Sequence, residues 1–235
     1  SDCFVSGYDR GTMLSGTWEL DEPQAPDHGY RTGRIKLGTE SSGGFKNITV
    51  TNCIFEHCRG LALETVDGGH LEDIEISHIT MRHIVNAGIF LRLGARMRSP
   101  EGTPAGSMKR IRISHINAYD VDSRYSSIIS GIPNGIIEDV TFDHIHLYYK
   151  GGYTKEDGKR ELPEQEKVYP EPWMFGTIPA KGFYISHAKN ISFHHINFYY
   201  EKPDGRPLFV TKDVENIRLT DIRENGENVS VTINQ

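Results

Sequence analysis

The sequence lacks a run of about 18 apolar residues, so no segment is predicted to span a membrane. It also lacks a basic excess, because the 235 residues carry a formal net charge of −6, whereas general nucleic-acid binders are usually basic. The first residues show no basic stretch followed by an apolar core, so no signal peptide is recognised. Only three cysteines are present, and at least one must be unpaired. Cys53 and Cys58 suit a stacked apolar column, so we predict buried thiols.

Long helical patterns are scarce as well, whereas a short strand-like pattern repeats along the chain. Six segments share two apolar residues two positions apart and end in Asn, His or Asp four positions after the first of them. An apolar period of two is that of a half-buried strand. The six segments are Asn47–Asn52, Asp73–His78, Arg110–His115, Asp139–His144, Asn190–His195 and Asn216–Asp221.

A second set of short strand-like segments alternates with the first. These are Arg34–Leu37, Leu61–Glu64, Ile89–Arg92, Ser127–Ser130, Phe183–Ser186 and Leu208–Thr211. Such units cannot bury an inner face alone and must stack, and the intervals are too short for the helices of an α/β fold. We therefore predict an all-β, right-handed parallel β-helix, a single domain over residues 1–235. Loop insertions are expected at about 17–32 and 150–181, the second either ordered or a mobile lid.

Eleven histidines raise the possibility of a metal site. Four of them end repeats at the same position, namely His78, His115, His144 and His195. Side chains in one column of stacked strands lie about 4.8 Å apart, which suits a ladder of polar rings. Zinc would instead require ligands that converge on one point. We predict a structural ladder and no metal site.

A resemblance to a known family is carried by residues 33–70. Gly38–Gly44, followed by the strand Asn47–Cys53, resembles the Gly-Ser-Glu-x-x-Gly-Gly and Asn-Ile-x-Val-x-Asn-Cys stretch of polygalacturonases, glycoside hydrolase family 28. The resemblance implies an extracellular or periplasmic pectinase made of the C-terminal coils of that fold. It also implies hydrolysis of a polysaccharide or oligosaccharide with inversion and without a cofactor.

The sequence differs from the family at the family's catalytic and substrate-binding positions. The Asn-Thr-Asp and Asp-Asp motifs with the catalytic aspartates are missing, and N-terminal coils that would carry them are expected upstream. The family's carboxylate-binding Arg and Lys correspond to Ala62 and Glu64, so either the sugar is neutral or the cation comes from elsewhere. Inverting hydrolysis needs two carboxyl groups about 6.5–9.5 Å apart. Within this chain, Glu64 paired with Asp67 or Glu40 is the candidate.

Strand alternation supplies the substrate-binding candidates. With Leu61 and Leu63 inward, Lys36, Ala62 and Phe90 fall in one outward column, and Glu64 and Arg92 in the next, as an ion pair. The candidates are Lys36, Phe90, Arg92, Arg96, Arg98, His70, Asp9, Arg10 and Arg124. Plainer alternatives are an exposed Glu64–Arg92 pair, a solvated Asp9–Arg10 pair and a surface stack of Arg124 on Tyr125.

Three functions are compatible with the sequence. The leading one is a glycoside hydrolase of polygalacturonase type that acts on pectin or a related plant polysaccharide. The rival is a non-catalytic solenoid that binds carbohydrate or acts as an adhesin, which the missing aspartate motifs favour. A polysaccharide lyase is the third, but the Asp and Glu cluster that would bind its calcium is not evident in the sequence.

Overall fold

Strands dominate the computed structural model, which describes residues 1–9, 22–23, 33–231 and 233, with residues 8, 9, 22 and 23 described by backbone alone. The helical pieces in these ranges are two 3₁₀ segments, Asp157–Lys159 and Pro172–Phe175. The strands are β1 (Phe4–Ser6), β2 (Tyr8–Asp9), β3 (Glu22–Pro23), β4 (Lys36–Leu37), β5 (Phe45–Glu56), β6 (Leu61–Thr65), β7 (His70–Ile84), β8 (Ile89–Leu93), β9 (Ser107–Val121), β10 (Ser127–Ser130), β11 (Ile137–Tyr149), β12 (Phe183–Tyr200), β13 (Phe209–Glu224) and β14 (Glu227–Asn228). The prediction of an all-β fold is confirmed.

Parallel pairing arranges the strands in two rows. The long row consists of β1, β5, β7, β9, β11, β12 and β13, and the short row of β4, β6, β8 and β10, continued by the first residues of β12 and β13. Because β12 begins in the short row at Phe183 and ends in the long row at Tyr200, the rows form one sheet, curled into a half-barrel. Among the described strands, the antiparallel pairs are β13–β14 and β2–β3.

The predicted repeats lie in register across the long row. The first apolar position of each repeat is the Cα partner of the same position in the next, through Ile48, Ile74, Ile111, Val140, Ile191 and Ile217. Further along the repeats, Phe142 and Phe193 are fully buried and stack with centroids 4.8 Å apart. Burying each ring contributes about 1.5–3 kcal/mol, so the register is set by the inward apolar columns.

Left-handed backbone corners bend the long strands. The repeat-ending residues have φ between 50° and 56°, and the residues five positions earlier have φ between 54° and 58°. Asn, Asp and His adopt this conformation more readily than other side chains, because their short polar groups bond locally. The polar residue that recurs in each repeat is therefore required by the backbone, and Arg110 is the one exception to the residue type.

The cysteines follow the prediction. Cys53 and Cys58 are buried and free, and Cys3 is exposed and free. Burial raises the pKa of the Cys58 thiol to about 11, so this thiol stays protonated at neutral pH.

The 150–181 insertion, which we call the cover, lies across the outward face of the short row. Its Phe175 and Ile178 pack in one buried cluster with Phe90 and Ile128. The Ala95 N–H donates to Glu166 O at 2.7 Å, and the Ile178 N–H donates to Arg124 O at 2.9 Å. Of the 17–32 insertion, only 22–23 lie within the described residues, where they pair with β2.

Arg206 anchors both ends of the cover. Its guanidinium is buried and donates to Ile178 O and Ser123 O, both at 2.8 Å, and to Asp204 Oδ2 at 2.7 Å. The same group lies 4.2 Å from the ring centroid of Tyr153. A buried cation is stable only when its donors have partners, and this one ties the cover to the loops on both sides.

Candidate active site

The outward columns of the short row have the predicted register. Lys36 is the Cα partner of Ala62, and Ala62 that of Phe90. The expectation that Phe90 offers an exposed ring to a sugar is wrong, because the cover packs on it and leaves it 1 % exposed. The ring instead forms part of a second apolar core between the short strands and the cover.

Arg92 corrects a second expectation. Glu64 and Arg92 are Cα partners, yet the Arg92 guanidinium donates to Ser130 Oγ at 2.7 Å and to the carbonyls of Glu164 and Gln165 at 2.8 and 3.1 Å. The predicted ion pair is therefore wrong, and Arg92 is 1 % exposed, out of reach of a substrate. Burial lowers the pKa of Arg92 to about 10, although Glu164 opposes that shift.

Glu64 is fully buried among cations. Its Oε2 lies 2.8 Å from Lys36 Nζ and accepts from Thr39 Oγ1 at 3.1 Å, while Oε1 has no hydrogen bond and lies 3.7 Å from Arg34. Burial raises the pKa of Glu64 despite Lys36 and Arg34, which both favour the charged form. The carboxyl group therefore keeps its proton to a higher pH than an exposed glutamate.

Asp67 lies three residues further on and has the opposite electrostatics. Arg96 bonds both of its oxygens, and the Arg98 N–H donates to Oδ1 at 3.0 Å. Burial alone would raise the pKa of Asp67, but these hydrogen bonds outweigh it and hold the pKa below the usual value. Glu40 is more exposed and accepts from Arg96 at 3.0 Å and from Arg98 at 3.4 Å. Five predicted site residues (Glu40, Glu64, Asp67, Arg96 and Arg98) thus lie where β4, β6 and β8 end.

The other predicted residues lie apart from this group or outside the description. His70 is half-exposed and bonds Ser107 Oγ at 2.8 Å at the start of β7. Arg124 is exposed and lies 5.5 Å from the Tyr125 ring centroid, the surface stack given above as the plainer alternative. Asp9 is described only as the backbone of β2, and Arg10 lies outside the described residues.

A second charged group, which was not predicted from the sequence, lies beside Glu64. Glu171 of the cover is 2 % exposed and accepts from Arg34 at 3.0 Å, from Arg59 at 3.3 Å and from Asn86 at 3.3 Å. Arg34 joins this group to Glu64. The available signal was the sequence Tyr-Pro-Glu-Pro-Trp at 169–173, in which an acid and two aromatic residues stand in a proline-stiffened loop.

The histidine column of the long row is a stacked ladder, as predicted. Centroids are 4.7 Å apart for His78 and His115, 5.2 Å for His115 and His144, and 4.4 Å for His144 and His195. These spacings are close to the 4.7–4.9 Å between neighbouring strands, so the rings follow the backbone repeat.

Within the part of the chain that the structure describes, one potential metal-ligand group lies at the end of the ladder. The ligand atoms of Asp143, His144 and His195 lie within 4.8 Å of one another. The Nδ1 atoms of the two histidines are 2.8 and 3.0 Å from the same Asp143 oxygen. Burial alone would raise the pKa of Asp143, but these imidazoles keep it below the usual value. Hydrogen bonding within the column accounts for this geometry.

Within the described residues, no helix has the length and apolar content needed to cross a membrane. Comparisons of the chain with protein-family models, with curated proteins and with solved structures give no match.

Proposed function

We propose that this chain belongs to a glycoside hydrolase of polygalacturonase type, which acts on pectin or a related plant polysaccharide outside the cell or in the periplasm. The observation that carries the proposal is the pair of carboxyl groups at the end of β6. Burial raises the pKa of Glu64, and arginine hydrogen bonds lower that of Asp67. Two nearby acids with pKa values pushed apart are the usual basis for assigning a catalytic acid and base.

The proposed architecture is a right-handed parallel β-helix of the pectinase kind. Support comes from the in-register parallel rows, the inward apolar columns and the left-handed corners of the long strands. The Gly38–Gly44 stretch that resembles glycoside hydrolase family 28 leads directly into β5 of this arrangement.

In the proposed reaction, Glu64 is the acid that protonates the leaving oxygen. Asp67, or the more exposed Glu40, activates a water on the opposite face of the sugar, which inverts the configuration. Arg96 and Arg98 orient the base, and Lys36 contacts both Glu64 and Tyr169 of the cover. Because Glu64 is fully buried, substrate entry requires local opening of the cover at Tyr169, which accepts a hydrogen bond from Lys36.

The second candidate is a carbohydrate-binding solenoid without catalysis. The observation that favours it is the cover, which packs an apolar core over Phe90 and accepts hydrogen bonds from the Arg92 guanidinium through the carbonyls of Glu164 and Gln165.

A variant of the leading proposal is a hydrolase whose catalytic aspartates lie in coils upstream of residue 1. In that case the candidate site residues of this chain would form the walls of a neighbouring subsite.

The test is release of reducing sugar from polygalacturonate, rhamnogalacturonan and neutral pectin side chains. It is run with this chain and, in parallel, with the longer gene product. Glu64→Gln and Asp67→Asn are each expected to lower the rate at least a hundredfold, since a positioned acid or base typically contributes 10²–10⁴-fold. Glu75→Gln, a carboxylate of β7 in the long row, is the matched control and is expected to retain activity.

Each outcome separates the candidates. A loss of less than tenfold in Glu64→Gln would remove Glu64 as the acid. Activity of the longer product alone would assign the chemistry to upstream aspartates. Binding of the polysaccharides without any hydrolysis by either protein would leave the carbohydrate-binding solenoid.

A further inference from the structure

The carboxylate of Glu171 occupies a cage that suits a ligand. Two guanidinium groups and one amide, from Arg34, Arg59 and Asn86, converge on it at 3.0–3.3 Å. They come from the segments just before β4, β6 and β8, so the cage belongs to the stacked strands, whereas its occupant belongs to the cover. Arginine forks of this kind recognise carboxylates wherever they come from.

The occupant is held mainly through side chains. Within the described residues, the backbone hydrogen bonds of residues 167–177 have both partners inside residues 165–176. The next backbone hydrogen bond along the chain joins the Ile178 N–H to Arg124 O, outside the segment. Side-chain contacts do the rest: Tyr169 bonds Lys36 at 3.2 Å, and Trp173 lies 4.9 Å from the Arg59 guanidinium. A segment attached in this way is separable from the strands without breaking a sheet hydrogen bond.

The balance of charge favours an external acidic ligand. Three cations, Lys36 and the two arginines of the cage, face two carboxylates, Glu64 and Glu171. When Glu64 takes up a proton, the balance moves further toward positive charge. Tyr169 and Trp173, which lie on either side of Glu171 in the sequence, are 47 % and 45 % exposed, so the segment that carries the occupant is only partly buried against the strands.

We propose that Glu171 is an internal stand-in for a ligand carboxylate, and that an acidic saccharide binds the Arg34–Arg59–Asn86 cage by displacing it. This inference deepens the proposed function, because it supplies the cation that Ala62 and Glu64 do not provide. The affinity for such a saccharide is set by competition with Glu171 at high local concentration.

Isothermal titration with trigalacturonate, and with galactotriose as the neutral counterpart, tests the inference on the full chain. Glu171→Gln is expected to bind trigalacturonate at least tenfold more tightly than the unmodified chain, with no gain for galactotriose. Glu161→Gln, an exposed glutamate of the same cover, is the matched control and is expected to bind as the unmodified chain does. Equal affinities in Glu171→Gln and the unmodified chain, or an equal gain for the neutral sugar, would overturn the inference.

Hydrogen exchange provides a readout that does not depend on the variant's folding. Saturating trigalacturonate should speed exchange in residues 167–176 of the unmodified chain and leave β12 protected. Unchanged exchange at saturation contradicts displacement of Glu171. Binding with this exchange pattern but without sugar release would support the cage as a binding site and contradict the proposed hydrolase. Sugar release without any effect of Glu171→Gln would support the hydrolase and contradict the role of the cage.

Discussion

The two rows of strands have the same parallel pairing but different outward faces. On the long row, two polar positions repeat from strand to strand, and one carries the histidine ladder while the other carries the half-exposed Asp73–Arg110 ion pair. On the short row, outward positions do not repeat: Lys36, Ala62 and Phe90 are neighbours in one column, and the cover buries most of them.

This difference distinguishes polar residues that the backbone requires from charged residues that it does not require. Repeated polar residues satisfy a requirement that recurs in every strand, the left-handed corner, and they need no ligand to explain them. Charged residues without a repeat, such as Glu64 and Glu171, lack that explanation and are costly to bury. In a stacked fold, departure from the repeat is therefore the better guide to a site.

The largest expected effect concerns the anchor of the cover. Arg206→Ala should lower the free energy of unfolding by about 3–5 kcal/mol, because it leaves Asp204 as a buried charge without its partner. Urea unfolding measures the loss. Arg218→Ala on the exposed side of β13 is the control and should change stability by less than about 0.5 kcal/mol. If Arg206→Ala loses as little stability as the control, anchoring of the cover by Arg206 does not stabilise the fold.

An intermediate effect is expected on the long row at acid pH. Ser107 and Arg110 bond Glu72 at 2.7 and 3.0 Å, and these contacts, with those of Lys46 and Lys109, lower its pKa to about 2. A lowered pKa stabilises the fold above the usual value near 4.5, and this stability is lost as pH falls toward 2.

Glu72→Gln should therefore cost about 1–2 kcal/mol at pH 7, less than the full shift implies, because the partner cations are a third to a half exposed. Urea unfolding from pH 7 to 2 should show the variant and the unmodified chain converging in this acid range. A pH-independent difference would show that packing, and not the ion pairs, is responsible.

The smallest effects concern the ladder. His115 has φ near 53° and stacks between His78 and His144. His115→Asn keeps a residue suited to this corner and should cost less than about 0.5 kcal/mol, whereas the β-branched His115→Val should cost about 1–2 kcal/mol. Thermal unfolding compares the two. Equal losses would mean that ring stacking, and not the corner, determines the choice of histidine.

Much of the fold was predictable because its cause is local and repeated. The segment Arg110–His115 contains its strand, its inward Ile111 and Ile113 and its corner, and each repeat restates the same pattern. The site was predictable only in part. Lys36, Glu64, Asp67, Arg96 and Arg98 were identified from alternation and loop position, and β4, β6 and β8 bring them to one edge.

The strand repeat, the inward columns, the polar corners and the register of the outward residues all follow from the amino-acid sequence. Which outward residues are accessible depends on the tertiary structure. The cover returns over the short row from more than a hundred residues away to bury Glu64 and place Glu171 between Arg34 and Arg59. No local pattern records such a contact, because the periodicity of a strand specifies which way a side chain points but not which distant segment will lie upon it.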